Sequence, residues 1–427
     1  MDGLSMHVLK IQGGAPLVGD VIVPGSKNAA LAILSAVMLG RGVTTLTNVP
    51  NVSDIHIKLE LLSRFGAKFE WRGDNLDIDC TTLQPAIVEE DIVRPIRTSF
   101  YIIGSLLARL GQVTLPAPGG CKIGARPVDF HLKGLAMMGA KIDLDGGNYI
   151  AEVDRLRGTE IYLDFPSAGA TQHLMSTATL AEGVTVIQNA ACEPEIVQLA
   201  EFLTAMGARI EGAGTPTVSI IGVDRLHGCT FRVPEDRLQA GTFLLAGAIT
   251  RGKVTARGIM PDHQIALINK LREAGAECEE GFDWVSVAAP SRLEGIKIKT
   301  MPYPGFATDI QQPMAAVLAL AKGQSSIEET IYESRTGHVS ELNRMGAKMS
   351  VVGRLTQIEG VESLDGAVVE SSDLRAGAAL VLAGLAAEGE TIVRNIHFID
   401  RGYMNFEALL NSLGGNVERV ATAEAGV

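Results

Sequence analysis

Hydrophobic positions recur with two periods along this chain, and the switching between them predicts its elements. GDVIVPG (19–25) alternates as a short strand does, and NAALAILSAVMLG (28–40) is an apolar run long enough for a helix. GVTTLTNVP (42–50) returns to the strand pattern. DIHIKLELLSRFGA (54–67) places Ile55, Leu59 and Leu62 at helical spacing among charges, an amphipathic helix, and KFEWRG (68–73) and LDIDC (76–80) read as two short strands. The predicted unit is β-α-β-α-β-β.

That unit repeats. Glycines closing the second helix of each copy stand at 66, 139, 207, 275, 346 and 414, spaced by 73, 68, 68, 71 and 68 residues. A second series, where the first helix gives way to a strand, stands at 42, 111, 183, 252, 323 and 389, spaced by 69, 72, 69, 71 and 66. Two independent markers with nearly one period imply six copies of one structural unit. Glycine just past a helix suits a left-handed C-cap, since it has no Cβ to clash. The last copy lacks its final strand, and the N-terminus opens with an orphan strand, HVLKIQGG (7–14), which would complete it. The expected fold class is α/β: two lobes of three repeats each, residues 23–232 forming one, residues 1–22 with 233–427 forming a discontinuous second, and a cleft between them as the natural site.

Composition narrows the function. The chain is 46% hydrophobic and only 5% aromatic, so its core is aliphatic, and its net charge of −12 argues against nucleic acid or an anionic membrane as partner. No apolar run reaches the roughly 18 residues of a membrane span, and the first ten residues have no signal-peptide layout, so a cytoplasmic location is expected. Cys80, Cys121, Cys192, Cys229 and Cys278 form no CxxC pair and the histidines no HExxH, so neither a disulfide framework nor a metal or other cofactor is expected. An anionic substrate then needs a local cluster of cations.

Such clusters exist. Ser26, Lys27 and Asn28 stand where a strand turns into a helix, whose start exposes N–H groups and attracts anions; a plain cap and a solvated lysine fit them equally. Arg94 and Arg97 precede an apolar helix, against the preference of helix starts for acids. Cys121 follows Gly119 and Gly120 and stands beside Lys122 and Arg126, which lower a thiol's pKa. Further along come Asp309, Arg335, Asp373 with Arg375, and Asp400 with Arg401. The repeat puts Asp373 and Arg375 at a helix start equivalent to that of Lys27.

Together PGSKN, GGCxIGARPVD, TDxQ, DLRAGAALVLAG and IDRGY closely resemble the enolpyruvyl transferases of the EPSP synthase superfamily, and among these the UDP-N-acetylglucosamine 1-carboxyvinyltransferases that begin bacterial peptidoglycan synthesis. The resemblance runs over essentially the whole chain. It implies two inside-out α/β barrels of three repeats and an active site between them. It implies transfer of the enolpyruvyl group of phosphoenolpyruvate to the 3'-hydroxyl of UDP-N-acetylglucosamine, with those two small molecules as partners and no cofactor. Phosphoenolpyruvate would be bound by Lys27, Arg97, Arg126 and Arg401, with Cys121 as the catalytic acid or transient nucleophile and Asp309 as the base toward the sugar hydroxyl. The nucleotide sugar would be held by Asn28, Arg97, Arg126, Pro127, Val128, Asp129, Ser167, Ala168, Gly169, Asp309 and Ile331, and Asp373 and Arg375 would line the site. Inactivation by the epoxide fosfomycin is a further implication.

Two positions depart from the family pattern: Phe165 stands where a basic residue often precedes the Ser-x-Gly loop, and Cys192 where arginine often precedes EPEIV. The rival readings are transfer to shikimate 3-phosphate, transfer to another uridine nucleotide, and a catalytically silent nucleotide-binding repeat protein. If Cys121 acts as an acid, Cys121→Asp keeps turnover while Cys121→Ala loses it by orders of magnitude; loss in both, measured by phosphate release, assigns it the nucleophile's role instead.

Overall fold

The computed structural model describes residues 7–118 and 128–422. They form two compact units, one of residues 25–118 and 128–234, the other of residues 7–24 and 235–422. At the heart of the first lie three mutually packed helices, α1 (Lys27–Val37), α2 (Ile102–Leu110) and α3 (Ala168–Ala178). Every residue of α1 from Ala29 to Val37 and of α3 from Ala170 to Ala178 is buried. A helix covered on all sides must be apolar all round and small where neighbours approach. Gly104 of α2 shows how close they come, for a Cβ there would sit 1.9 Å from Thr177 Oγ1 of α3.

Three larger sheets wrap this bundle, beside a two-stranded one of Gly40–Arg41 and Leu226–His227. Their strand orders are Thr230–Arg232, Val43–Thr47, Asn75–Asp79, Lys68–Arg72; Gln112–Pro116, Asn148–Glu152, Lys141–Asp145; and Glu160–Tyr162, Val184–Gln188, Thr217–Ile221, Arg209–Glu211. The second sheet has three strands because the second repeat departs from the predicted unit. Its leading segment, with Pro85, Pro95 and the acids Glu89 to Asp91 between them, forms only the short helix Glu90–Val93. Proline supplies no ladder N–H, so that stretch makes a poor strand. At the C-terminal ends of α1, α2 and α3 a cavity of about 890 Å³ is lined by Leu39, Arg109, Gly111, Glu182 and Leu226 among others. Among the described residues, none of those predicted for the site lines it.

The other unit repeats the plan with α4 (Arg237–Ile249), α5 (Thr308–Ala319) and α6 (Leu374–Ala386) at its centre. Its sheets run Glu277–Glu280, Trp284–Ala288, Lys253–Arg257, Val18–Ile22; Lys297–Lys299, Gln324–Glu328, Leu355–Glu359, Lys348–Val352; and Val368–Glu370, Glu390–Arg394, His7–Gln12, Val417–Ala421. Two strands join the sheet of another repeat. Val18–Ile22 precedes α1 yet pairs in parallel with Lys253–Arg257, and Thr230–Arg232 precedes α4 yet pairs in parallel with Val43–Thr47. The N-terminal strand inserts antiparallel between Glu390–Arg394 and Val417–Ala421, supplying the strand that the sixth repeat lacks.

Eleven of the twelve repeat glycines have positive φ, the cap conformation their spacing suggested. Gly252 is the exception: Arg251 takes the left-handed turn (φ 55), while a Cβ on Gly252 would meet the Leu17 carbonyl at 1.8 Å. Ile11 of the inserted strand is fully buried, and a Cβ on Gly384 of α6 would lie 3.2 Å from its Cδ1. Ile11→Ala is therefore expected to destabilise the unit by about 2–5 kcal/mol in urea unfolding. A loss under about 1 kcal/mol would mean that the inserted strand adds little to the core.

Candidate active site

The starts of the buried helices carry the polar groups. Ser26 caps α1 and Ser167 caps α3, their Oγ atoms accepting from Ala29 N and Ala170 N at 3.2 Å each. Lys27 and Asn28 are the first residues of α1, and Ala168 and Gly169 the first of α3. The Lys27 ammonium lies 3.3 Å from Asp54 Oδ2, with the two side chains 12% and 2% exposed. Arg97 opens a 3-10 turn, Arg97–Tyr101, that leads into α2. Val128 and Asp129 start the helix Asp129–Met137. Arg94 pairs with Glu90 at the surface.

Behind these groups lies a buried polar cluster that the sequence reading missed. Lys58 is fully buried and donates to the Thr98 carbonyl at 2.7 Å; burial holds its pKa well below the ordinary lysine value. His173 Nε2 accepts from Gly104 N at 3.0 Å, so its proton is on Nδ1 and is donated to His131 Nδ1 at 2.9 Å. Burial, then Arg97, lowers His131 to about 3, and burial, then His131 and Lys58, lowers His173 well below its usual value. Both imidazoles are thus neutral with fixed tautomers. Tyr101 stacks on both rings, with centroids 5.6 and 5.7 Å away, and a Cβ on Gly169 would come within 2.6 Å of its hydroxyl. One signal pointed to part of this: Asp54 and Lys58 interrupt the inward face marked by Ile55, Leu59 and Leu62.

In the other unit Asp309, in the first turn of α5, receives Arg335 NH1 on Oδ1 at 2.7 Å and Arg375 Nε and NH2 on Oδ2 at 3.3 and 3.1 Å. Both arginines are buried, while the Asp309 side chain is 22% exposed. Burial alone would lower each guanidinium, but Asp309 and Asp373 raise that of Arg335, and Tyr403, Asp309 and Asp236 that of Arg375, above its ordinary value. Pro313 has no N–H to offer the Asp309 carbonyl four residues back. Asp373 caps α6, its Oδ1 accepting from Arg375 N and Ala376 N at 3.0 and 3.1 Å, while Gln312 Nε2 donates to Oδ2 at 3.3 Å.

A second joint holds the segment of Ile331. The Glu329 carboxylate accepts from Thr300 Oγ1, Thr308 Oγ1, Ile331 N and Tyr332 N at 2.8, 2.9, 2.8 and 3.1 Å. Arg401 ends the 3-10 turn Ile396–Arg401, and its neighbour Asp400 pairs with Arg419 at 2.7 Å.

Each unit thus gathers its own share of the predicted residues. Asp309, Asp373 and Arg375 form one bonded network, whereas Arg375 is a buried support behind Asp309 rather than a lining group. Cys121, Arg126 and Pro127 lie outside the described residues. The four described thiols are all pushed up by burial, Cys80 to about 12. Among the described residues no three His, Cys, Asp or Glu are grouped to hold a metal, and no helix is long and apolar enough to cross a membrane.

The family model of EPSP synthase (3-phosphoshikimate 1-carboxyvinyltransferase) matches residues 11–410. The chain belongs to that family. Within the family, the UDP-N-acetylglucosamine 1-carboxyvinyltransferase of Finegoldia magna is 47% identical to it, over 97% of this chain and 99% of its own. UDP-N-acetylglucosamine 1-carboxyvinyltransferase 2 of Carboxydothermus hydrogenoformans is 49% identical, over 97% and 100%. The crystal structure of the enolpyruvyl transferase NikO from Streptomyces tendae superposes with a TM-score of 0.87 at 25% identity, covering 98% and 99%. An EPSP synthase from Acinetobacter baumannii gives 0.74 at 20% identity over 97% and 100%, a likeness of fold.

In this family member the buried imidazoles set an acid limit. His131, His173 and also His338, lowered to about 4 by burial, stay neutral in the folded state while an unfolded histidine takes a proton near 6.5. The unfolded chain therefore binds more protons below that point, and stability falls as pH drops, by up to about 1.4 kcal/mol per unit for each group. Urea unfolding between pH 7 and 5, above the range of ordinary carboxylates, is expected to show this slope. A flat profile would mean that the folded protein protonates these rings.

Proposed function

We propose that the protein transfers the enolpyruvyl group of phosphoenolpyruvate to the 3'-hydroxyl of UDP-N-acetylglucosamine and releases phosphate by addition and elimination. The observation that carries this reading is near-half identity, over almost the whole of both chains, to relatives named UDP-N-acetylglucosamine 1-carboxyvinyltransferase. Addition needs a proton delivered to the methylene carbon while the sugar hydroxyl, giving up its own proton, attacks the neighbouring carbon. Cys121 is assigned the donor's part and Asp309 the acceptor's. Elimination then returns the proton and expels phosphate.

Phosphoenolpyruvate is a compact polyanion, and one charge-assisted hydrogen bond contributes only about 1.5–3 kcal/mol, so several cations must act together. Lys27, Arg97, Arg126 and Arg401 are assigned to it. Lys27 and Arg97 stand at the N-terminal ends of α1 and of the turn into α2, where N–H groups add to the attraction. The nucleotide is assigned to Asn28, Val128, Asp129, Ser167, Ala168, Gly169 and Ile331, with Arg126 and Pro127. Because Ile331 N is engaged by Glu329, its carbonyl is the group left to a ligand. A cytoplasmic location and a place at the start of cell-wall precursor synthesis go with this reading.

Phosphate release from phosphoenolpyruvate, measured with UDP-N-acetylglucosamine and with shikimate 3-phosphate in separate reactions, tests it. Release only with the nucleotide sugar, lost in Asp309→Ala while calorimetric nucleotide binding persists, is the expected result. Release with shikimate 3-phosphate alone would transfer the assignment to that acceptor, and release with neither would leave a binding protein.

A further inference from the structure

Arg375 gives Asp309 Oδ2 two hydrogen bonds and Arg335 NH1 gives Oδ1 one, at 2.7 Å, and proton acceptance is assigned to Oδ1. What holds Arg375 in that pose lies deeper. Its remaining terminal nitrogen, NH1, donates to the Tyr403 hydroxyl at 2.9 Å, and the guanidinium carbon stands 5.2 Å from the centre of the Tyr403 ring. The phenol in turn contacts Thr242 Oγ1 at 2.9 Å, and Thr242 Oγ1 also donates to the Leu238 carbonyl at 2.9 Å. Thr242 has one proton, and it is committed to Leu238. Tyr403 is therefore the donor to Thr242, and its lone pairs are directed at Arg375.

The chain Thr242, Tyr403, Arg375, Asp309 thus links α4, α6 and α5 through groups that are almost wholly buried until Asp309 itself. The Tyr403 ring packs on Phe406 at 4.4 Å between centroids, and Gln239 Nε2 fixes the neighbouring Gly402 carbonyl at 3.1 Å, so the phenol has little freedom. We infer that the Tyr403 hydroxyl is a positioning group: by accepting from Arg375 it keeps that guanidinium on Asp309 Oδ2 and presents Oδ1 to the acceptor hydroxyl. The inference rests on the proposed role of Asp309.

Without the hydroxyl, a buried guanidinium N–H loses its acceptor, and Arg375 turns to find another. Tyr403→Phe preserves the ring, its packing on Phe406 and its face toward Arg375, so the fold is expected to hold within a few degrees of the wild-type Tm. The expected result is a fall in kcat of roughly tenfold or more, the loss of about one charge-assisted hydrogen bond, with KM for both substrates within about threefold. The acid limb of the kcat profile should also move to higher pH, because Asp309, which faces Arg335, Arg375 and Asp373, loses one cationic partner. Thr242→Val, which frees the phenol proton but leaves the contact with Arg375, should give a smaller change in the same direction.

Unchanged kcat and acid limb in Tyr403→Phe would overturn the inference, as would losses confined to Tm. If the wild-type protein released no phosphate with UDP-N-acetylglucosamine, the functional reading would fail instead. A crystal structure of Tyr403→Phe would then decide the positioning claim: Arg375 still on Asp309 Oδ2 overturns it, and Arg375 turned away supports it.

Discussion

The structure depends on one constraint: each unit is built around three helices that have no face toward water. Along α1 from Ala29 to Val37 and along α6 from Arg375 to Leu385, every side chain is buried. Hydroxyls within such helices bond to their own preceding turn, as Ser35 does to the Leu31 carbonyl, Thr177 to His173 and Thr242 to Leu238. Charged groups have no place along the middle. They collect at the ends, and at the N-terminal ends they meet unpaired backbone N–H groups. Ser26, Ser167, Asp236 and Asp373 cap four of the six helices there. The way the core is packed thus confines anion-binding chemistry to one end of each bundle.

That confinement has an electrostatic consequence around Asp309. A buried guanidinium without a partner costs several kcal/mol, and two lie side by side here. Arg335 and Arg375 are tolerable because Asp309, Asp373 and the Tyr403 oxygen answer them, and Thr308, held by Glu329, receives another Arg335 N–H at 2.9 Å. The carboxylate assigned to proton transfer is thereby part of the charge balance that keeps the helix starts folded. Removing it takes from two buried guanidiniums the carboxylate they share, so its loss bears on stability as well as on turnover.

Much of this was legible in the chain. Glycine spacing gave the repeat count because a left-handed cap leaves few other residues to choose from, and the missing last strand directed attention to residues 7–14. The motifs marked the helix starts because those ends are where this core lets polar residues sit. The second repeat misled, since its segment before α2 has the right position but proline and acids in place of strand formers. The supports were less visible for a different reason. Glu329 and Thr242 are single polar residues whose partners stand tens to hundreds of positions away, and no local period marks them. Lys58 is the intermediate case, a charge in the apolar stripe of an amphipathic helix.

Burial acts in one direction on the four described thiols of a chain with five cysteines. Cys80 is buried and pushed to about 12, even with Arg109 nearby, because desolvation outweighs that one charge. Cys278 follows the same order, with burial ahead of Arg272, and Cys192 has burial and Glu193 acting together. In each, the thiolate is the disfavoured form, and the thiolate is what attacks an electrophile. Cys121 is set apart by sequence alone, with glycines before it and Lys122 and Arg126 after it. On the proposed reading, a ligand of phosphoenolpyruvate's size and charge meets the cations assigned to it, and the four described thiols, all pushed up, offer no competing thiolate.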